Sequence, residues 1–147
     1  MLKGVLVATD FSRAADAALE FAVDVALRHN AELLLLHVCM ELPELPALKA
    51  RRDHQEELGR AEAALGQRVA RTAAQGVLVK TLLRTGDPAD VIAATARDQR
   101  VDLVVVGSHG VHEPSTMLIG SVADRLLRLA PCSVTIVRPT PAGRAAA

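Results

Sequence analysis

VVVGSHGVHEPSTMLIGSVADRLLR, residues 104–128, decides how this chain folds. Asp102 to Val106 is aliphatic and largely β-branched, the pattern of a strand covered on both faces in a parallel sheet. The run stops at Gly107, Gly110 follows, and nine residues later Gly120-Ser121 leads into VADRLLRLA, where Val122, Leu126, Leu127 and Leu129 form a helical stripe. Strand, glycine loop and helix succeed one another. Glycine permits φ > 0 and lets a ligand approach the backbone without meeting a Cβ. A helix N-terminus adds unpaired N–H groups and a partial positive charge. Together they describe an anion cradle. A structural reading stands beside it, in which Gly107 and Gly110 only turn the chain and Ser121 is an N-cap or first-turn residue. The better-known phosphate loops are excluded: no Lys-Ser or Lys-Thr follows the last glycine, and Gly-x-Gly-x-x-Gly is absent.

Upstream, Lys3 to Thr9 reads as a short strand and Arg13 to His29 as an amphipathic helix. Ser12 is its N-cap, Asn30 its C-terminal cap, and Ala14, Ala18, Phe21 and Val25 its apolar side. Leu33 to Val38 is a second strand; Met40 to Lys49, with Pro43 and Pro46, reads as a lid-like loop. Arg52 to Gln75 is a charged helix that buries Leu58, Ala61, Leu65, Val69 and Thr72 and closes at Gly76. Val77 to Arg84 is a third strand, and Asp87-Pro88 opens a helix running to about Gln99. Ser133 to Val137 completes a fifth strand, and residues 140–147 form a loose tail after a domain of residues 1–139. Strands alternating with helices predict a single doubly wound α/β domain, a Rossmann-like parallel sheet with helices on both faces.

Composition narrows the function. The chain has 147 residues, half of them hydrophobic, yet only Phe11 and Phe21 are aromatic. Lys plus Arg number 17 and Asp plus Glu 17, so no net field draws nucleic acid and no aromatic platform stacks bases. The apolar start is too short for a signal peptide and no run is long enough to span a membrane. Cys39 and Cys132 lack C-x-x-C spacing and read as two buried thiols in a reducing compartment, which predicts a cytoplasmic protein.

The spacing Gly107-x2-Gly110-x9-Gly120-Ser121, with VLVATDFS at the start, LLLLHV in the first third and GDPADVI before the third helix, resembles the ATP-binding branch of the universal stress protein family. The likeness covers Met1 to Pro139. It implies five strands in the order 3-2-1-4-5, with the ends of the first and fourth strands side by side at a topological switch point. It also implies a nucleotide site at Ala8, Thr9, Asp10, Val38, Val106, Gly107, Ser108, His109, Gly110, Gly120, Ser121 and Val122, with ATP and Mg²⁺ as cofactors. Asp10 is the candidate Mg²⁺ contact by that resemblance; position alone favours a turn or capping carboxylate. His37 beside Val38 reads as a packed strand-end residue. By the same analogy the fifth strand, with Val134 and Ile136 at a sheet edge, pairs two chains into a homodimer, and a regulatory protein reads the bound state.

Micromolar binding takes about 8 kcal/mol. A helix terminus supplies roughly 0.3–2 and each charge-assisted hydrogen bond about 1.5–3, so several loop amides and adenine burial must act together. Val111-His112-Glu113-Pro114 departs from the family pattern by setting a carboxylate near the phosphates. Glu113 can repel the γ-phosphate, join a Mg²⁺ shell or point to water, and water is the expectation. His109, His112 and Glu113, with His37, also form a candidate transition-metal cluster. Gly-x-Ser-x-Gly is not satisfied, because Val106 stands at its first glycine. Two alternatives to a nucleotide-binding regulatory module remain. One is a slow ATPase or self-phosphorylating enzyme using Asp10, Ser121 or His109; the other is a nucleotide-free interaction module.

Overall fold

The computed structural model describes residues 1–40, 47–111, 113 and 118–139, with backbone alone at 47, 48 and 50. Five parallel strands, β1 (Gly4–Ala8), β2 (Glu32–Cys39), β3 (Val79–Thr85), β4 (Leu103–Gly107) and β5 (Ser133–Val137), lie in the order β3-β2-β1-β4-β5. Four helices connect them: α1 (Arg13–His29), α2 (Ala47–Ala74), α3 (Pro88–Asp98) and α4 (Ser121–Leu129). This is the predicted doubly wound sheet in the predicted order.

Strand alternation sorts the core into two layers. Val5, Val7, Leu33, Leu35, Leu103 and Val105 face α1 and Leu65 of α2. Leu6, Leu34, Leu36, Val104 and Val106 face Ala89, Ile92 and Ala93 of α3 and Ala123 and Leu126 of α4. The register Val7↔Leu35 and Val7↔Val105 puts β1 between its two neighbours, so their C-terminal ends converge. Among the described residues no helix is long and apolar enough to cross a membrane, and no buried side-chain polar atom lacks a partner.

Local chemistry sets the helix ends. Ser12 Oγ accepts the Ala15 N–H at 3.1 Å, and Asn30, at φ 53°, closes α1 in the left-handed conformation. Asp87 caps α3 with Pro88 in its first turn, and Gly76, at φ 87°, follows α2. The Asp87 carboxyl loses some solvation, which would raise its pKa, but hydrogen bonds from Arg125 and the Asp90 amide outweigh this and hold it below the usual range.

Several expectations are corrected. The buried face of α1 is Ala14, Ala15, Ala18, Leu19, Ala22, Val23 and Ala26, while Phe21 is 40% exposed and Val25 half-buried. That face is mostly alanine, which lets α1 pack close to β4 where Ala14 meets Gly107, and Phe21 and Val25 fall outside it. On α4, Leu126 is fully buried, but Leu127 and Leu129 are exposed, because only the Ala123–Leu126 side meets the sheet and α3. Helix α2 starts at Ala47 rather than Arg52, and Cys132 is half-buried where burial was expected. The rest of the predicted lid, residues 41–46, and the tail, residues 140–147, lie outside the described residues.

Candidate functional site

Where β1, β2 and β4 end, a crevice of about 580 Å³ opens, a size that accommodates a small-molecule ligand. Of the twelve residues proposed for a nucleotide, eleven line it; Ser108 alone does not, and is buried. Pro88 and Ile92 of α3, Glu57 of α2 and Met40 also line it and were not foreseen. The Asp87-Pro88 helix start was the one signal for the α3 wall, since it aims a helix N-terminus at the strand ends.

A chain of short contacts builds the β1 side. Thr9 Oγ1 accepts the Phe11 N–H at 2.9 Å, and Asp10 Oδ1 accepts the Ser12 N–H at 3.0 Å. These two bonds fold the backbone so tightly that Phe11 sits at φ 67°, an uncommon conformation for a bulky side chain. The Phe11 ring then stacks on His37 at 4.5 Å between centroids, and the Arg68 guanidinium lies 4.7 Å from the Phe11 ring centre. His37 Nδ1 bonds the Thr9 carbonyl at 2.7 Å. A carbonyl only accepts, so Nδ1 is the donor and Nε2 is the ring nitrogen left for another partner.

The β4 side is an anion cradle already holding an anion. Glu113 Oε1 accepts the Gly110 N–H at 2.9 Å and Oε2 the Ser121 N–H at 3.0 Å. This corrects the expectation that Glu113 points to water: two amides at the mouth of a helix offer its charge more than solvent does. Asp10 Oδ2 accepts the Val111 N–H at 3.0 Å, so both structural and site-facing readings of Asp10 meet in one carboxylate. Two other loop amides are committed to protein carbonyls, Ser108 N–H to Val137 and Gly120 N–H to Ser108. Ser121 is a first-turn residue, with Gly120 at the N-cap.

The loop glycines act by lacking a Cβ, since none has a positive φ. A Cβ on Gly107 would lie 2.7 Å from the Ala14 carbonyl carbon and 2.9 Å from Ala15 N, so this glycine admits α1. A Cβ on Gly110 would meet Asp10 Oδ2 at 2.8 Å, and one on Gly120 would strike the Glu113 carboxylate. At those two positions the missing side chain makes room for an oxyanion.

Asp10, Glu57 and Glu113 line the crevice, and among its described lining residues there is no Lys or Arg. A polyphosphate entering such a site needs a cation with it. The residues fit Mg²⁺: Asp10 and Glu113 flank Gly110, and each carboxylate oxygen retains a lone pair beyond its amide bond. The candidate cluster of His109, His112, Glu113 and His37 does not assemble among the described residues, and His112 lies outside them. His109 Nδ1 instead pairs with Ser108 Oγ at 2.9 Å. The His37 ring joins Cys39 and Glu57. Burial first, then the charge and hydrogen bond of Glu57, pushes the Cys39 thiol above its ordinary pKa.

Residues 1–138 match the universal stress protein family. Universal stress protein YxiE of Bacillus subtilis is 32% identical over 151 residues, covering 94% of this chain and 100% of that protein. A universal stress protein of Mycolicibacterium smegmatis is 35% identical over 137 residues, and the chain, 92% covered, spans 45% of that longer relative. Universal stress protein UspA from Lactobacillus plantarum has a similar structure, with TM-score 0.86 at 32% identity over 92% of this chain and 97% of that one. A universal stress protein in complex with cAMP gives 0.74 at 26% identity over 95% and 99%. A universal stress protein family protein from Arabidopsis thaliana with AMP bound gives 0.70 at 25% over 96% and 97%.

Proposed function

The chain belongs to the universal stress protein family, and from that premise we propose that it binds an adenine nucleotide, ATP with Mg²⁺, as a regulatory module rather than as a catalyst. The observation that carries this is the Glu113 carboxylate held between Gly110 N–H and Ser121 N–H, a protein anion where a phosphate oxygen is expected. Support also comes from the relatives crystallised with cAMP and AMP. Adenine lies against Val38 and Ile92, the ribose meets Asp10, and the phosphates take the Gly110 and Ser121 amides. To enter, they displace Glu113. Mg²⁺ offsets the phosphate charge, with Asp10 as its protein ligand.

Equilibrium titration with Mg-ATP, AMP and cAMP tests the reading. Micromolar Mg-ATP binding that weakens in Gly120→Val and in Ser121→Ala is expected; unchanged affinity in both refutes the phosphate assignment. Nucleotide recovered from freshly purified, denatured protein distinguishes a binder from a nucleotide-free module. Intact ATP after a single-turnover incubation distinguishes it from a slow ATPase.

Occupancy is transmitted through a homodimer to a regulatory protein partner. Among the described residues β5 is a sheet edge that pairs only with β4, and its Val134 and Ile136 are half-buried in the single chain. Sedimentation should find a dimer that Ile136→Lys dissociates; a wild-type monomer at all concentrations rejects the pairing. The free thiols Cys39 and Cys132 suit a reducing cytoplasm.

A further inference from the structure

His37, Cys39 and Glu57 bring an imidazole nitrogen, a thiol sulfur and a carboxylate oxygen within 4.8 Å of one another. They are 20 or fewer residues apart in sequence, yet come from two elements: His37 and Cys39 alternate on one face of β2, and Glu57 reaches over from α2. We propose that these three side chains form a binding site for a divalent transition-metal ion of the zinc class, apart from the amide cradle and independent of any nucleotide.

The donor set selects the metal. One nitrogen, one sulfur and one carboxylate oxygen suit zinc, whereas Mg²⁺ takes oxygen ligands alone. The imidazole is also prepared for the role. Its Nδ1 is held by the Thr9 carbonyl at 2.7 Å and its ring by the Phe11 stack, which leaves Nε2 as the ligating nitrogen in a fixed orientation. A ligating histidine usually has such a carbonyl behind it. Access exists too, because His37 and Glu57 line the crevice with Met40 beside them. Cys39 is buried and does not line the crevice, so His37 and Glu57 form the open side of the site, and the fourth position is left to water or to a ligand atom.

Burial, the largest cause, holds the Cys39 thiol above its ordinary pKa, so without metal the sulfur carries a proton. Metal binding forms the metal–sulfur bond and breaks the S–H bond, and the proton leaves to solvent. No redox change occurs.

The test uses the full chain, stripped with a chelator and titrated with Co²⁺ and then Zn²⁺. Co²⁺ should produce a thiolate-to-cobalt charge-transfer band with a stoichiometry of about one ion per chain, and Zn²⁺ should abolish it with proton release. Cys39→Ser should lose the band and Cys132→Ser keep it. Glu57→Gln, half-exposed on its helix and safe for folding, should weaken Zn²⁺ in chelator competition by about tenfold or more. No band in the wild type, a band that survives Cys39→Ser, or unchanged Zn²⁺ affinity in Glu57→Gln each overturns the site. Should Cys39→Ser fail to fold, the Glu57→Gln competition decides alone. Because no step uses ATP, failed nucleotide binding leaves this result standing.

Discussion

The Glu113 carboxylate accepts the Ser121 N–H at 3.0 Å, so α4 begins on a negative charge supplied by its own loop. Its second oxygen holds Gly110 N–H, and a phosphate would need the same two donors. Protein and ligand therefore compete for one cradle. Glu113→Ala should cost the nucleotide-free protein about 0.5–2 kcal/mol, the range for a lost N-terminal cap. It should also bind Mg-ATP roughly 5–30-fold tighter, equivalent to about 1–2 kcal/mol. Urea melts and calorimetric titration of the same two proteins check both signs. Weaker binding in the variant would instead make Glu113 a ligand of the Mg²⁺.

Gly107 and Gly120 look alike in sequence and differ in what surrounds them. A methyl on Gly107 meets the α1 backbone, which cannot yield, so Gly107→Ala should appear chiefly as about 1–3 kcal/mol of lost stability. A side chain on Gly120 lands on the Glu113 carboxylate and 2.9 Å from His109 Cα, so Gly120→Val should lose nucleotide affinity as well as stability. Chemical denaturation and titration of each variant separate the two. Unchanged nucleotide affinity in Gly120→Val would mean that both glycines serve packing alone.

That contrast marks the reach of sequence reading. Ser12, Asn30 and Asp87-Pro88 were legible because each acts on amides within a few residues of itself. The location of the crevice was legible from glycine spacing, but the strand order came only from family resemblance. Glu113 was read toward water because its amides lie three and eight residues away, across a loop whose path no local rule gives. Arg68 looked like one more charge on a charged helix. Its partner Asp16 is 52 residues away, and nothing short of the folded packing of α2 on α1 joins them. The His37, Cys39 and Glu57 meeting was hidden for the same reason.

Arg68 predicts a stability effect that reaches the crevice. Its Nε and a terminal amine bond both Asp16 oxygens at 2.8 and 3.2 Å, while its side chain is 9% exposed and that of Asp16 is 37%. The same guanidinium covers Phe11, whose ring supports His37. Arg68→Met leaves a half-buried carboxylate unpaired and should cost about 1–3 kcal/mol, less than a fully buried pair because Asp16 keeps some water. A double-mutant cycle with Asp16→Asn measures the coupling. A coupling energy near zero would assign the loss to Phe11 packing instead.

Asp102 gives the chain an acid-sensitive latch. Its carboxylate accepts the Lys3 N–H at 2.7 Å and the Gly4 N–H at 3.0 Å, joining the start of β4 to the start of β1. Those two bonds hold its pKa below the ordinary carboxylate range. The folded state thus binds its proton less readily than the unfolded chain, whose aspartates titrate near about 3.9. The stabilisation is present in full above that value and is lost as pH falls through the lower, folded pKa. Thermal melts should show the wild type losing stability as the pH falls below about 4, with a shallower decline in Asp102→Asn. A variant that declines as steeply as the wild type would shift the acid sensitivity to Asp87, whose pKa is lowered in the same direction.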